Sequence, residues 1–190
     1  MSTQTALDDG TLFARARQGD AEALTCLVDR HKDALVNYLT RISGCRDRAE
    51  DAAQDTFLKL IEGSRNYVEQ GQWRPYLYRI ATNLVRSQQR REHRWRVLRP
   101  KFIAGNGTRA EAPQEAAVER RELGSVLAQC LQELPLKYRL PVVLRDIEDW
   151  SYAEIAESLD CKPGTVKSRI FRGREMLRQL VAPHWNGALS

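Results

Sequence analysis

Side chains that commonly run covalent chemistry are thinly spread along this chain. His31, His93 and His184 are scattered, and none stands in a motif that would pair it with a serine or cysteine nucleophile. Cys26, Cys45, Cys130 and Cys161 lie far apart with no CxxC pair, so neither a disulfide framework nor a zinc site is indicated. Asp51 and Asp55, at i and i+4, could share a divalent cation on one helix face. No histidine, third-helix carboxylate or Glu-x-x-His pair accompanies them, and we assign no metal, no cofactor and no catalytic residue. The sequence instead concentrates basic side chains interleaved with aromatic and amide groups. Between 86 and 101 seven basic residues stand against one acid, and between 167 and 178 five stand against one. Groups of this kind suit polyanions, because cations hold phosphates while rings and guanidinium planes stack on bases.

The elements that must position these residues are helical. No alternating apolar and polar run is long enough for a strand. One helical block spans about 11–97 and a second about 114–181, and between them 100–113 has the Gly, Asn and Pro content of a linker. The sequence therefore predicts an all-α protein. Two small helical domains, 1–97 and 115–190, are joined by a flexible linker, 98–114. Stretched at ~3.3 Å per residue, 98–115 would reach about 60 Å, or about 18 base pairs of duplex. With 190 residues, 42% hydrophobic and 29% charged, the chain reads as globular rather than disordered. No apolar run is long enough to cross a membrane, and no secretory h-region opens the chain. A reducing, cytoplasmic setting without membrane insertion is expected. The net charge of +5 says less than its placement does.

In the second domain, Ser151 and Glu154 have capping-box spacing. Tyr152, Ile155, Ala156 and Leu159 then give a short helix one apolar face. A tight break follows at 160–162, and Pro163 suits the first position of a new helix. In that helix Val166, Ile170 and Leu177 fall inward. Thr165, Ser168, Phe171 and Arg172 lie roughly opposite, flanked by Lys167, Arg169 and Arg174. A short helix bracing a basic one is the arrangement with which a helix-turn-helix reads the major groove. Phe171 favours that reading over a solvated basic face, since a phenylalanine among polar groups is wasted unless something covers it.

Two helices of the first domain also present working faces. Over 47–63, Ala49, Ala53, Phe57 and Leu60 point inward, while Asp47, Asp51, Gln54, Asp55 and Glu62 surround an outward Leu58. A leucine among carboxylates suits a protein surface better than solvent. Over 73–97, Trp73, Leu77, Ile80, Ala81 and Leu84 make the buried face. Tyr76, Arg79, Asn83, Arg86 and Arg90 recur at helical steps on another, a row suited to single-stranded DNA.

The stretches LPLKYRLPVVLRDIEDWSYAEIAE (134–157) and GTVKSRIFRGR (164–174) resemble region 4 of a bacterial RNA polymerase sigma factor, most closely the extracytoplasmic-function (ECF) group. DRAEDAAQDTFLKL (47–60) resembles region 2.2, and WRPYLYRIATNLVR (73–86) resembles regions 2.3 and 2.4. The resemblance implies that Lys167, Ser168, Phe171 and Arg172 read the promoter −35 element, with Thr165, Arg169 and Arg174 beside them. It implies that 136–147 meets the polymerase β flap. Asp51, Gln54, Asp55 and Leu58 would dock on the clamp helices of the largest polymerase subunit. The −10 element would be melted by Asn83 and the basic helix, with Trp73, Tyr76, Arg79, Arg86 and Arg90, and a flipped base would enter the loop 64–72. The implied function is that of an alternative sigma factor: a non-enzymatic subunit that binds core RNA polymerase, directs it to specific promoters and opens −10 DNA. Opening would follow from holding the single strand more tightly than the duplex. An anti-sigma factor is an implied partner. Two alternatives stay open at this point: a helix-turn-helix regulator that never joins core polymerase, and a nucleic-acid-processing enzyme using the acids of 47–55.

Overall fold

The computed structural model describes residues 7–63, 73–98 and 118–185, and among them every regular element is a helix. In order these are α1 (Asp9–Ala16), α2 (Ala21–Ser43), α3 (Arg46–Glu62), α4 (Trp73–Leu98), α5 (Val118–Glu133), α6 (Leu136–Asp146), α7 (Tyr152–Leu159) and α8 (Pro163–Trp185). The loop 64–72 and the linker residues 99–114 lie outside the described residues, as do the base pocket and tether expected there.

Local chemistry sets the helix ends. Asp8 and Asp20 accept the backbone N–H of Thr11 and Ala23, each satisfying a donor that the first turn leaves free. Gly44 ends α2 in the left-handed region at φ 73°, where a side chain would be strained. The first four helices wrap one core that includes Leu12, Phe13, Leu27, Leu39, Phe57, Leu60 and Leu77. Within it the Tyr38 and Thr82 hydroxyls hydrogen-bond at 2.9 Å, so two buried polar groups satisfy each other.

The second unit packs α6, α7 and α8 through Leu140, Leu144, Ile155, Leu159, Val166 and Ile170. Gly173 makes the closest approach possible: a Cβ there would stand 2.6 Å from Val142 Cγ2 on α6. The second helical block, which the sequence ends at about 181, runs on in α8 through Pro183 to Trp185. Tyr152, placed by periodicity on the apolar face of α7, is instead exposed, with the Arg145 guanidinium 5.5 Å above its ring. As the first residue of its helix it sits where the chain enters from solvent.

The two helical units are docked on each other. Trp150, only 1% exposed, lies 4.7 Å from the Tyr78 ring of α4 and 4.8 Å beneath the Arg74 guanidinium. Gln132 Nε2 donates to the Arg41 carbonyl at 2.7 Å, and Arg139 donates to the Ile42 carbonyl. Both carbonyls belong to the last turn of α2, so the second unit caps a helix of the first. Arg41–Glu148 at 3.3 Å and Arg79–Glu157 at 3.7 Å complete the crossing. Burying an aromatic side chain contributes about 1.5–3 kcal/mol, against about 0–1 kcal/mol for an exposed ion pair. Trp150 therefore outweighs the exposed Arg79–Glu157 pair. The linker composition suggested independent domains. It gave no warning of this seam, because the residues that make it are far apart in sequence.

Candidate functional site

The helix-turn-helix is built from its caps upward. Ser151 Oγ accepts the Glu154 N–H at 3.2 Å, and Glu154 Oε2 accepts the Ser151 N–H at 2.8 Å. These reciprocal bonds hold the Glu154 carboxyl below the ordinary carboxylate range. Asp160 then turns the chain in the left-handed region at φ 50°, a conformation that a short polar side chain tolerates. From this turn α8 presents Lys167, Ser168, Phe171 and Arg172 to solvent, with Phe171 74% exposed. Thr165 and Arg169 are half-buried at its edges. Ser168 Oγ donates to the Thr165 carbonyl at 3.0 Å, which aims its oxygen along the helix. The Arg172 guanidinium lies beside the Tyr138 hydroxyl and lowers its pKa. Arg174 is committed elsewhere: its Nε and Nη2 take both oxygens of Asp146 at 3.0 and 2.5 Å. This bidentate pair fastens α8 to the end of α6.

The α4 row is divided by the seam. Asn83 and Arg90 are exposed, and Arg86 is half-buried. Arg79 reaches the second unit, pairing with Glu157 of α7 while it stacks on the Tyr76 ring at 5.2 Å, and the Tyr76 hydroxyl points to the Gly63 carbonyl at the end of α3. Trp73, which periodicity put on the buried face and the resemblance put among the −10 residues, is a core residue, 5% exposed between His31 and Phe13. At the first position of α4 its large ring fills the gap between α1 and α2. His31, pressed against Trp73 and 3.0 Å from Asp9 Oδ2, titrates below its ordinary value because burial disfavours its charge. Sequence reasoning passed over Trp95, which is 64% exposed beside the exposed Arg91 and Arg94. An indole flanked by arginines was its available signal.

On α3, Asp51, Gln54 and Asp55 are exposed and Leu58 is 64% exposed. Leu58 edges a mainly apolar groove of about 770 Å³ that α2 completes through Leu24, Val28 and Val36. The α2 half of this surface was missed, although Leu24 and Val28 stand at helical spacing. In α6, expected to meet the β flap, Leu140 to Leu144 are buried. Lys137, Asp146 and Ile147 remain outward. Among the described residues, no three His, Cys, Asp or Glu side chains converge as a metal site would require. No described helix is long and apolar enough to cross a membrane.

Known proteins bear on this arrangement. Residues 27–96 match the family described as Sigma-70 region 2, and residues 125–177 match Sigma-70, region 4. ECF RNA polymerase sigma factor SigE of Mycolicibacterium smegmatis is 38% identical over 188 residues, covering 96% of this chain and 69% of that protein. The ECF RNA polymerase sigma-E factor of Haemophilus influenzae is 32% identical over 184 residues, covering 93% and 97%. Among solved structures, CnrH in complex with the cytosolic domain of CnrY superposes with a TM-score of 0.70 at 27% identity, covering 92% of this chain and 97% of that one. The sigma factor RpoE of Bartonella quintana, in complex with the anti-sigma factor NepR, shares the fold with a TM-score of 0.64 at 24% identity, covering 82% and 94%. Matches over both helical units and long relatives of one kind lead to one conclusion: the chain belongs to the ECF RNA polymerase sigma factors, alternative sigma factors that act with RNA polymerase in transcription initiation.

Proposed function

We propose the following division of labour for this sigma factor. Lys167, Ser168, Phe171 and Arg172 enter the major groove of the −35 element. Thr165 and Arg169 flank them, and Arg174 braces the helix from its pair with Asp146. Asn83, Arg86, Arg90 and Tyr76 engage the −10 region, joined by Arg79 once α7 releases it. Asp51, Gln54, Asp55 and Leu58 dock on the clamp helices of the largest polymerase subunit, and the outward side of α6 meets the β flap. Domain limits of 1–97 and 115–190 with a connecting 98–114 fit this scheme. The protein works in the cytoplasm and carries no catalytic activity of its own. An anti-sigma factor restrains it, as the anti-sigma factor NepR stands with the sigma factor RpoE in the structure above.

The observation that carries the reading is Phe171, a large apolar side chain held outward at the centre of a basic helix face. Guanidinium groups read guanine edges while an apolar ring meets a thymine methyl. Run-off transcription with purified core polymerase on a promoter library tests it: promoter-specific transcripts should appear only when the protein is added. Arg172→Ala should weaken −35 duplex binding and leave core association intact, and Asp51→Arg with Leu58→Ala should do the reverse. Loss of both activities in both variants would overturn the division.

A further inference from the structure

We propose that the seam between the two units is a binding site for a small phosphate-rich anion, of the size and chemistry of a nucleoside di- or triphosphate. The start of α3, the C-terminal half of α4 and the first residue of α6 enclose an open cavity of about 770 Å³, a volume typical of small-ligand sites. Arg48, Arg86, Arg90 and Arg94 line it, and Glu92 is its one carboxylate. Glu92 is engaged by Arg48 at 3.4 Å. Arg86, Arg90 and Arg94 have no carboxylate partner among the described residues.

Those three arginines follow at four-residue steps and therefore share one ridge of α4. Like charges so placed destabilise a helix, and the one carboxylate lining the cavity, Glu92, pairs with Arg48. Guanidinium forks match phosphate oxygens in geometry as well as charge. Gln89 adds an amide and Leu136 an apolar side chain, which suits a ligand with an organic part beyond its phosphates. Shape separates this ligand from a duplex backbone. Leu136 belongs to the second unit and the arginines to the first, so the cavity is complete only while the units are docked. A continuous backbone could follow the arginine ridge without Leu136, whereas a compact anion sits among all of these residues. An anion in the seam thus ties the units together and keeps Arg86 and Arg90 from promoter DNA. That competition rests on the reading of α4 given above; the binding itself does not.

Isothermal titration of the full-length protein tests the site, with tripolyphosphate, ATP and GTP as probes and a short duplex as a separate arm. Saturable one-site binding of at least one of the three small anions is expected. Arg48→Ala with Arg94→Ala should weaken it about tenfold or more, while the far-ultraviolet spectrum stays unchanged because both side chains are exposed. Hydrogen exchange in the first turn of α6 should slow when the anion binds. The proposal fails if none of the three anions saturates, if the double variant binds at parental affinity, or if only the duplex uses these arginines. A protein that binds tripolyphosphate but directs no transcription would overturn the promoter reading and leave this site standing.

Discussion

Phe171 and Arg174 sit three residues apart on one helix, yet the structure gives them opposite duties. Phe171 is 74% exposed, so Phe171→Ala should leave Tm within about a degree of the parent. It should lower −35 discrimination at a thymine position, read in a duplex binding assay with base-pair substitutions. Arg174→Ala removes a bidentate bond to Asp146. Its effect should appear first as a lower Tm and only then as weaker binding, uniformly across sequences. Residue types and periodicity made Phe171 readable, because an exposed ring on a polar face is visible in a helical projection. The commitment of Arg174 was not readable, since its partner lies 28 positions away on another helix. Trp73 drew two readings: periodicity put it in the core, where it lies, while the resemblance put it at the DNA.

At the scale of elements, α7 and α8 are held by one cap and one gap. The capping box at Ser151 depends on an ionised Glu154, whose carboxyl titrates below its ordinary value because Ser151 hydrogen-bonds it. A depressed carboxyl contributes stability above its unfolded pKa, and that contribution is lost as pH falls through the folded one. Acid titration of helicity should therefore show a loss below about pH 4.5 in the parent, and a smaller one in Glu154→Gln. The gap is Gly173. Adding a methyl there drives it toward Val142 on α6, and Gly173→Ala should cost about 1–3 kcal/mol by overpacking, measured as a lower denaturant midpoint. The capping box was legible from two residues at fixed spacing. The intimacy of α6 and α8 was not, because a glycine in a helix announces close approach without naming the neighbour.

For the whole molecule, the docked units leave the α8 face and the Leu58 groove open while α7 covers part of the α4 row. Under the proposed division of labour, promoter opening then requires the units to part. Glu157→Arg replaces the attraction to Arg79 by repulsion across the seam. A reversal worth about 1 kcal/mol would shift the docked-to-open ratio about fivefold. Small-angle scattering should report a larger radius of gyration, and a −10 single strand should bind the free protein more tightly. Unchanged dimensions with unchanged affinity would show that α7 does not control access. Helical content, two units and a linker could all be read from composition and periodicity. How the units rest on each other could not, since that depends on Trp150, Gln132 and Arg139 meeting groups roughly 70 to 100 positions away.

The burial of Trp150 has an optical consequence. Its indole is shielded in the docked molecule, flanked by Tyr78 and Arg74, whereas Trp73 stays inside the first unit and Trp95 is already in water. Parting the units changes the surroundings of Trp150 far more than those of the other two. With Trp95 and Trp185 replaced by phenylalanine, the tryptophan emission should move to longer wavelength when Glu157→Arg is introduced or when core polymerase is added. The protein would then signal its own opening by the colour of its fluorescence, with no attached label.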